Sequence, residues 1–247
     1  MIRIVELYKA FGTQEVLRGV NLTIPSQQIT TLMGCSGCGK SVLLKHIIGL
    51  LKPDRGSILL DGIDITKLRG RALNKVRERF SMLFQSAALF DSLTVFENVA
   101  FPLREKTHLS EETIAKQVEE KLEQVGLSGM ENKYPAELSG GMKKRVGLAR
   151  ALITNPEIIL FDEPTAGLDP VMGRTIHQLI YDTWEQIGFT AVIVSHEVPE
   201  VFEISHYVAM LYSGVIVESG PTAAIRNSTN PVVRQFIDGS LAGPIEA

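Results

Sequence analysis

The sequence predicts an α/β fold built around a mainly parallel sheet. Two observations support this: short apolar runs alternate with longer helix-like ones along most of the chain, and a glycine-rich turn joins one strand-like run to a helix-like run. Strands are expected at residues 2–7, 16–24, 28–33, 57–61, 157–162, 190–194, 207–212 and 215–218. Helices are expected at residues 42–51, 110–125, 142–154, 171–187 and 232–237.

Composition is that of an ordinary globular protein. Among 247 residues, 45% are hydrophobic and 21% charged, and the formal charge of −3 gives no basic footprint for nucleic acid. No apolar run approaches the ~18 residues of a membrane span, and the first residues lack the pattern of a secretory signal. Two cysteines do not make a disulfide framework. We therefore expect a cytosolic protein whose membrane role, if any, comes through a partner.

The glycine-rich turn, residues 34–41, reads GCSGCGKS and fits the phosphate-loop pattern G-x-x-x-x-G-K-S. Its backbone N–H groups and the following helix N-terminus favour an anion. Lys40 is expected to reach the β- and γ-phosphates of a nucleotide, and Ser41 to bind Mg²⁺. The alternative, a chance glycine-rich turn, is disfavoured by the flanking strand and helix. The other expected phosphate contacts are Gly34, Cys35, Ser36, Gly37, Cys38 and Gly39.

Two cysteines, Cys35 and Cys38, occupy the variable positions of this loop. Beside Lys40 and a helix N-terminus, the pKa of a thiol is expected to fall and its thiolate to become more reactive. The simpler alternative is that both side chains are small fillers.

An apolar strand, residues 157–162, ends in the acidic pair Asp162 and Glu163. Carboxylates at such a strand end lie where α/β proteins bind ligands. Asp162 is expected to hold Mg²⁺ and Glu163 to polarise the attacking water. The alternative is a solvated acidic pair.

Residues 138–142 read LSGGM and precede a helix-like run. This stretch resembles the signature of ABC-type ATPases, a family that couples ATP binding and hydrolysis to work in a partner, usually a membrane transporter. Met142 departs from the commoner glutamine, which leaves the Ser-Gly-Gly backbone intact. Further landmarks of the family follow in order over residues 2–221: Phe11, Gln85 in LFQS, residues 167–170 (GLDP), and Ser195-His196.

The resemblance implies roles for these residues. Phe11 would stack on adenine, Gln85 would contact Mg²⁺ and water, Asp169 belongs to the D-loop, and His196 would contact the γ-phosphate. Alternatives stay open for two of them, because aromatic residues are usually core and an isolated histidine is usually structural.

A second phosphate cradle is expected at Ser139, Gly140 and Gly141, at the start of a helix. One γ-phosphate cannot face both this cradle and the Lys40 loop of the same chain. In the family, a second subunit supplies the cradle, so that a homodimer encloses two ATP molecules.

The fold implied is a P-loop NTPase of the ABC ATPase type, with a RecA-like α/β core, an N-terminal antiparallel β subdomain and a helical subdomain. The core would occupy residues 1–90 and 136–221, the helical insertion 91–135, and a C-terminal helix with a frayed tail 222–247. Ser110 is expected to cap the clearest helix of the insertion, which Pro102 and Pro135 would bracket as breakers. The alternative is a surface helix of one continuous domain.

A narrower similarity is to the ATPases of MCE-linked phospholipid transporters, the Mla group. The stretches that carry it are residues 82–90 (MLFQSAALF), 93–99 (LTVFENV), 101–105 (FPLRE), 199–201 (PEV) and 234–239 (RQFIDG). It implies ATP-driven phospholipid transport that maintains outer-membrane lipid asymmetry. The partners would be an integral-membrane permease, a STAS-domain subunit and an MCE lipid-binding protein, with the ATPase at the cytoplasmic face of the inner membrane.

A permease would dock between Gln85 and Pro102, where Phe90, Phe96 and Phe101 offer apolar contacts; the alternative is that these rings fill the core. Two other functional classes are alternatives. The first alternative is a soluble ABC ATPase that acts in cofactor assembly or on nucleic acid. Duplicated cassettes or a coiled-coil insertion would favour that class, and this sequence has neither. The second alternative is a regulatory module that binds ATP without hydrolysing it. The presence of all the expected catalytic residues argues against this class: Lys40, Asp162, Glu163 and His196.

Overall fold

The computed structural model describes residues 1–245. Its strands are β1 Ile2–Phe11, β2 Gln14–Ile24, β3 Ile29–Met33, β4 Arg55–Leu60, β5 Ile63–Asp64, β6 Phe80–Leu83, β7 Ile158–Asp162, β8 Thr190–Ser195, β9 Tyr207–Tyr212 and β10 Val215–Pro221. Its α-helices are α1 Lys40–Ile47, α2 Gly70–Arg77, α3 Val95–Lys106, α4 Glu111–Gln124, α5 Gly140–Leu152, α6 Pro170–Ile187, α7 Thr222–Arg226 and α8 Pro231–Asp238. Every strand and helix expected from the sequence coincides with one of these elements.

The sequence did not predict β5, β6, α2, α3 or α7. Helix α2 has only eight residues and buries none of them, so its apolar side chains, chiefly Leu73 and Val76, are too few for periodicity to identify a helix. Strands β5 and β6 have two and four residues, which is too short for a clear alternation.

Two compact units make up the chain: residues 1–80 with the described residues from 188 on, and residues 81–187. This boundary differs from the expected division into a core, an insertion at 91–135 and a tail from 222. That division concerns functional subdomains and stays a prediction.

The first unit contains an antiparallel sheet with strand order β2-β1-β4-β5 and a parallel group in which β3 lies between β8 and β9. All five residues of β3 are buried. Met33 is in register with Ser195 of β8 and Met210 of β9. Because the three strands are parallel, the phosphate loop after β3 and His196 after β8 leave the same edge of this sheet.

The second unit contains α3 to α6 with strands β6 and β7. Ser110 caps α4 as expected, since its hydroxyl accepts a hydrogen bond from the Thr113 N–H at 3.3 Å. Ile114, Val118 and Leu122 form the buried stripe of this helix, and Gly126 follows it with φ +69°.

The expectation that Pro102 acts as a breaker is wrong, because Pro102 lies inside α3. The helix is fixed on its N-terminal side instead. Thr94 and Glu97 form a capping box, and the fully buried Asn98 amide donates to the carbonyls of Phe90, Leu93 and Thr94. Since these bonds are independent of the one that proline removes, the helix continues through Pro102.

The expected frayed tail is also wrong as far as residue 245. Gln235 donates to the carbonyls of Ser240 and Ile245 and accepts from the Ile245 N–H at 2.7 Å. The Tyr212 hydroxyl donates to the Pro244 carbonyl at 2.7 Å. The buried Gln235 side chain therefore fastens the segment after α8 to the first unit. Residues 246 and 247 lie outside the described part of the chain.

No helix within residues 1–245 combines the length and apolar character needed to cross a membrane.

Candidate active site

The phosphate loop follows β3, and its glycines occupy positions that exclude side chains. A Cβ at Gly34 would collide with the carbonyl oxygen of Leu211. Gly39, the residue before α1, has φ +103°, and a Cβ there would lie 2.9 Å from Val16 Cγ1. The loop backbone thus requires glycine at both ends for steric reasons.

Lys40 closes the loop from its C-terminal end. Its Nζ donates to the carbonyls of Gly34 and Cys35, at 2.7 Å each, and the side chain is only 5% exposed. Ser41 follows in the first turn of α1. The sequence therefore places an ammonium and a hydroxyl beside a ring of backbone amides, a set suited to a nucleotide's phosphates.

Phe11 and His196 belong to the same unit as the loop. Phe11 ends β1, and its ring is 48% exposed with Lys9 Nζ 5.4 Å from the ring centroid. The alternative that Phe11 fills the core is therefore wrong. His196 is also exposed and directly follows the buried strand β8. Adenine stacking by Phe11 and γ-phosphate contact by His196 stay predictions.

The expected fall in thiol pKa is wrong for Cys38. Burial raises the pKa of this thiol above its ordinary 9.0, and this effect outweighs the lowering by the charge of Lys40, whose Nζ lies 4.0 Å from Sγ. Cys35 and Cys38 are both free thiols. The structure thus favours the filler alternative for Cys38.

The acidic pair lies at the end of β7, in the second unit. All residues of β7 are buried, and Asp162 is 8% exposed, so a fully solvated acidic pair is ruled out. Glu163 follows with φ +49°, and its Oε2 accepts a hydrogen bond from Gln85 Nε2 at 3.1 Å. The acidic pair and Gln85 were predicted from two separate segments, and this hydrogen bond joins Gln85 to Glu163.

The LSGGM segment starts α5. Ser139 is its N-cap residue, and its hydroxyl accepts from the Met142 N–H at 3.3 Å. The next two residues, Gly140 and Gly141, form the first turn, whose N–H groups have no helical partner. A Cβ at Gly141 would lie 2.5 Å from Met172 Cε, so α5 packs closely against α6 at this glycine.

Asp169 caps α6. Its Oδ1 accepts from the N–H groups of Val171 at 3.0 Å and Met172 at 3.1 Å. Capping of α6 is a sufficient structural reason for an aspartate at this position. A contact between Asp169 and nucleotide stays a prediction.

Sequence reasoning missed Lys144 of α5. This side chain is 5% exposed, and its Nζ donates to the carbonyl oxygens of Gln85 and Glu163. A signal was present, since Lys144 lies on the buried stripe formed with Gly141, Leu148 and Leu152. A lysine on an apolar stripe indicates a buried polar contact.

Comparisons with known proteins agree with this geometry. A family model described as "ABC transporter" matches residues 17–166. The chain belongs to the ABC transporter family. It is accordingly an ATPase and the ATP-binding subunit of an ATP-driven transporter, with the P-loop ABC ATPase fold that the sequence predicted.

Two relatives of this ABC subunit are similar over nearly its whole length. The probable ribonucleotide transport ATP-binding protein mkl of Mycobacterium leprae is 48% identical over 99% of this chain and 70% of its own length. The intermembrane phospholipid transport system ATP-binding protein MlaF of Escherichia coli K12 is 44% identical over 95% of this chain and 87% of its own.

Solved ABC cassettes share its fold. The cassette MJ0796, a dimer in a post-hydrolysis state bound to ADP and Pi, matches with a TM-score of 0.82 and 34% identity over 90% of this chain and 99% of its own. CbiO1 of Clostridium perfringens, part of the transporter complex cbiONQ, matches with a TM-score of 0.84 and 30% identity over 95% of this chain and 93% of its own.

Replacing Lys40 with alanine removes the ammonium that closes the loop. We expect ATP affinity to fall about 10- to 100-fold, the range for losing a hydrogen bond from a charged group. Equilibrium titration with a fluorescent ATP analogue measures this. Lys45→Ala, on an exposed residue of the same helix, is the matched control and keeps normal affinity. Near-normal affinity in Lys40→Ala would contradict the assignment of the phosphate loop.

Burial of Cys38 predicts slow alkylation. In a Cys35→Ala variant, iodoacetamide should modify Cys38 at pH 7 more slowly than it modifies glutathione, and the rate should rise as pH increases toward the raised pKa. Mass spectrometry of the loop peptide gives the rate. Labelling faster than glutathione at pH 7 would show an activated thiolate instead.

Proposed function

We propose that this chain powers phospholipid transport as one of two identical ATPase subunits beneath a membrane permease. The observation that carries the proposal is the match to MlaF, which is named for intermembrane phospholipid transport and aligns with 95% of this chain. The stretches at residues 93–99 and 101–105, whose resemblance to the Mla group was noted from the sequence, support the same proposal.

Different roles in hydrolysis are proposed for residues of the two units. Lys40 binds the phosphates and Phe11 stacks on the base. Glu163 takes a proton from the attacking water, while Gln85 orients the carboxylate through its 3.1 Å hydrogen bond to Oε2. His196 binds the γ-phosphate.

The donor set fits Mg²⁺. Ser41, Gln85 and the buried Asp162 offer a hydroxyl, an amide oxygen and a carboxylate, and Gln85 uses its amide nitrogen for Glu163, which leaves its oxygen for a ligand role. Within residues 1–245 no cluster of three or more His, Cys, Asp or Glu could hold a metal ion. That suits Mg²⁺, which proteins hold with few carboxylates plus substrate phosphates. When bound, it would neutralise phosphate charge.

Two copies of the chain are needed for a complete site in this proposal. The start of α5 offers the cradle of Ser139, Gly140 and Gly141, in which Ser139 and Gly140 are exposed and within reach of another subunit's nucleotide. The dimeric state of MJ0796 supports this arrangement. ATP binding would close the dimer, and hydrolysis would release it.

The permease would dock on an exposed aromatic pair. Phe90 and Phe101 are 44% and 38% exposed, with ring centroids 5.0 Å apart, so they do not simply fill the core. Phe96 is half-buried under Arg104. Docking here places the chain at the cytoplasmic face of the inner membrane, in a complex with a STAS-domain subunit and an MCE lipid-binding protein.

Glu163→Gln keeps the size of the side chain and removes the base. We expect turnover to fall about 10²- to 10⁴-fold while ATP binding persists, so that an ATP-bound dimer accumulates. Phosphate release and light scattering after size exclusion measure the two effects. Glu157→Gln, on an exposed residue just before β7, is the control. A monomer under saturating ATP would contradict the enclosed-nucleotide dimer, and normal turnover would contradict the role of Glu163.

The transported molecule needs its own test, because mkl is named for ribonucleotide transport. The tagged chain is purified from native membranes in detergent, and the complex is reconstituted into liposomes with fluorescent phospholipid and labelled ribonucleotide. ATP-dependent movement of the lipid, lost in Glu163→Gln, supports the proposal. Movement of the ribonucleotide alone would reassign the cargo. If no membrane subunit co-purifies with the chain, the result would favour a soluble ABC ATPase that acts in cofactor assembly or on nucleic acid.

A further inference from the structure

A buried lysine joins the two segments that carry Gln85 and Glu163. Lys144 lies in the second turn of α5, with a side chain only 5% exposed. Its Nζ donates to the backbone carbonyl of Gln85 and, at 3.3 Å, to that of Glu163. A buried ammonium is costly unless it is hydrogen-bonded, so these contacts determine where this side chain can lie.

The same two residues are also joined through their side chains. Gln85 Nε2 donates to Glu163 Oε2 at 3.1 Å. Lys144, Gln85 and Glu163 therefore form a closed ring, in which the lysine fixes both backbones and the amide fixes the carboxylate. Displacing the backbone at Gln85 or at Glu163 would lengthen the hydrogen bond from the Gln85 amide to the Glu163 carboxylate.

The backbone at Glu163 needs such support. Its φ of +49° is a left-handed conformation that is unfavourable for a non-glycine residue. The Glu163 carbonyl accepts from the Ala166 N–H at 3.2 Å and from Lys144. This conformation sets the direction in which the carboxylate leaves the end of β7.

Packing alone does not explain Lys144, because other residues of α5 already hold the Gln85 segment. Arg150 donates to the carbonyls of Ala88 at 2.8 Å and Ala87 at 2.5 Å. At Gly147, a Cβ would lie 2.6 Å from Leu83 Cδ1, so the helix and the segment are in close contact there. Neither of these contacts involves Glu163, whereas Lys144 reaches it.

We propose that Lys144 is a positioning residue for hydrolysis, which holds the Glu163 carboxylate and the Gln85 amide in their working geometry. This inference rests on the roles proposed above for Gln85 and Glu163. Lys144 acts through their backbones and needs no contact with nucleotide.

Lys144→Met tests the proposal, because methionine keeps most of the volume and removes the ammonium. We expect kcat to fall about 10- to 100-fold, the effect of a small misplacement of a catalytic group. KM for ATP should stay within about twofold, since Lys40 and its loop are unchanged. Lys144→Arg keeps a donor and should recover part of kcat. Lys121→Met, which removes a half-buried lysine from α4, is the matched control and should keep normal kcat.

A double variant checks the ring directly. If Lys144 acts through Gln85 and Glu163, Gln85→Ala combined with Lys144→Met should lower kcat by less than the product of the two single effects. Multiplicative effects would overturn the proposal. So would an unchanged kcat in Lys144→Met, or a loss of kcat that follows a fall in melting temperature and is not recovered by arginine.

The Glu163→Gln variant distinguishes a failure of the role proposed for Glu163 from a failure of the positioning role proposed for Lys144. If Glu163→Gln retains normal turnover, the proposed role of Glu163 is wrong and the positioning role falls with it. If Glu163→Gln is inactive and Lys144→Met is normal, only the positioning role is wrong.

Discussion

The backbone of the phosphate loop runs so close to strand β9 that a side chain at Gly34 would collide with the Leu211 carbonyl. The parallel pairing of β3 with β9 fixes this approach, with Met33 in register with Met210. Lys40 then donates to the carbonyls of Gly34 and Cys35, which holds the loop ends together. The loop is thus shaped by the sheet before any phosphate binds, and ordering it costs little on binding.

The second unit uses the same device, a buried cation bonded to backbone carbonyls. Lys144 and Arg150 of α5 bind the segment from Gln85 to Ala88. Lys144 donates to the carbonyl of Gln85, and Arg150 donates to the carbonyls of Ala87 and Ala88. Each cation satisfies several acceptors that lie outside regular helices and strands, where ladder partners are missing. These bonds restrict the irregular segments that carry Gln85 and Glu163, as positioned catalytic groups require.

Helix formation in the second unit shows where local patterns succeed and fail. The Ser110 cap and the stripe Ile114, Val118 and Leu122 act within one helix, so periodicity found α4 correctly. Helix α3 was missed because Pro102 is a strong local breaker, and the bonds from Asn98 to carbonyls of the preceding turn leave no signal in apolar periodicity. The tail after α8 was misjudged for a similar reason, since Gln235 and Tyr212 fasten it from other elements.

The sequence by itself determined the family, the strand and helix order around each motif, and the residue types of the phosphate loop and the acidic strand end. These follow from short-range constraints: glycine where φ is positive, apolar residues in buried strands, and acids where strands end. Only the tertiary structure decided that burial raises the pKa of Cys38, that Phe11 is exposed, and that Lys144 joins Gln85 to Glu163. Burial and hydrogen bonding at these residues depend on segments far away in the chain, and no local pattern encodes that environment.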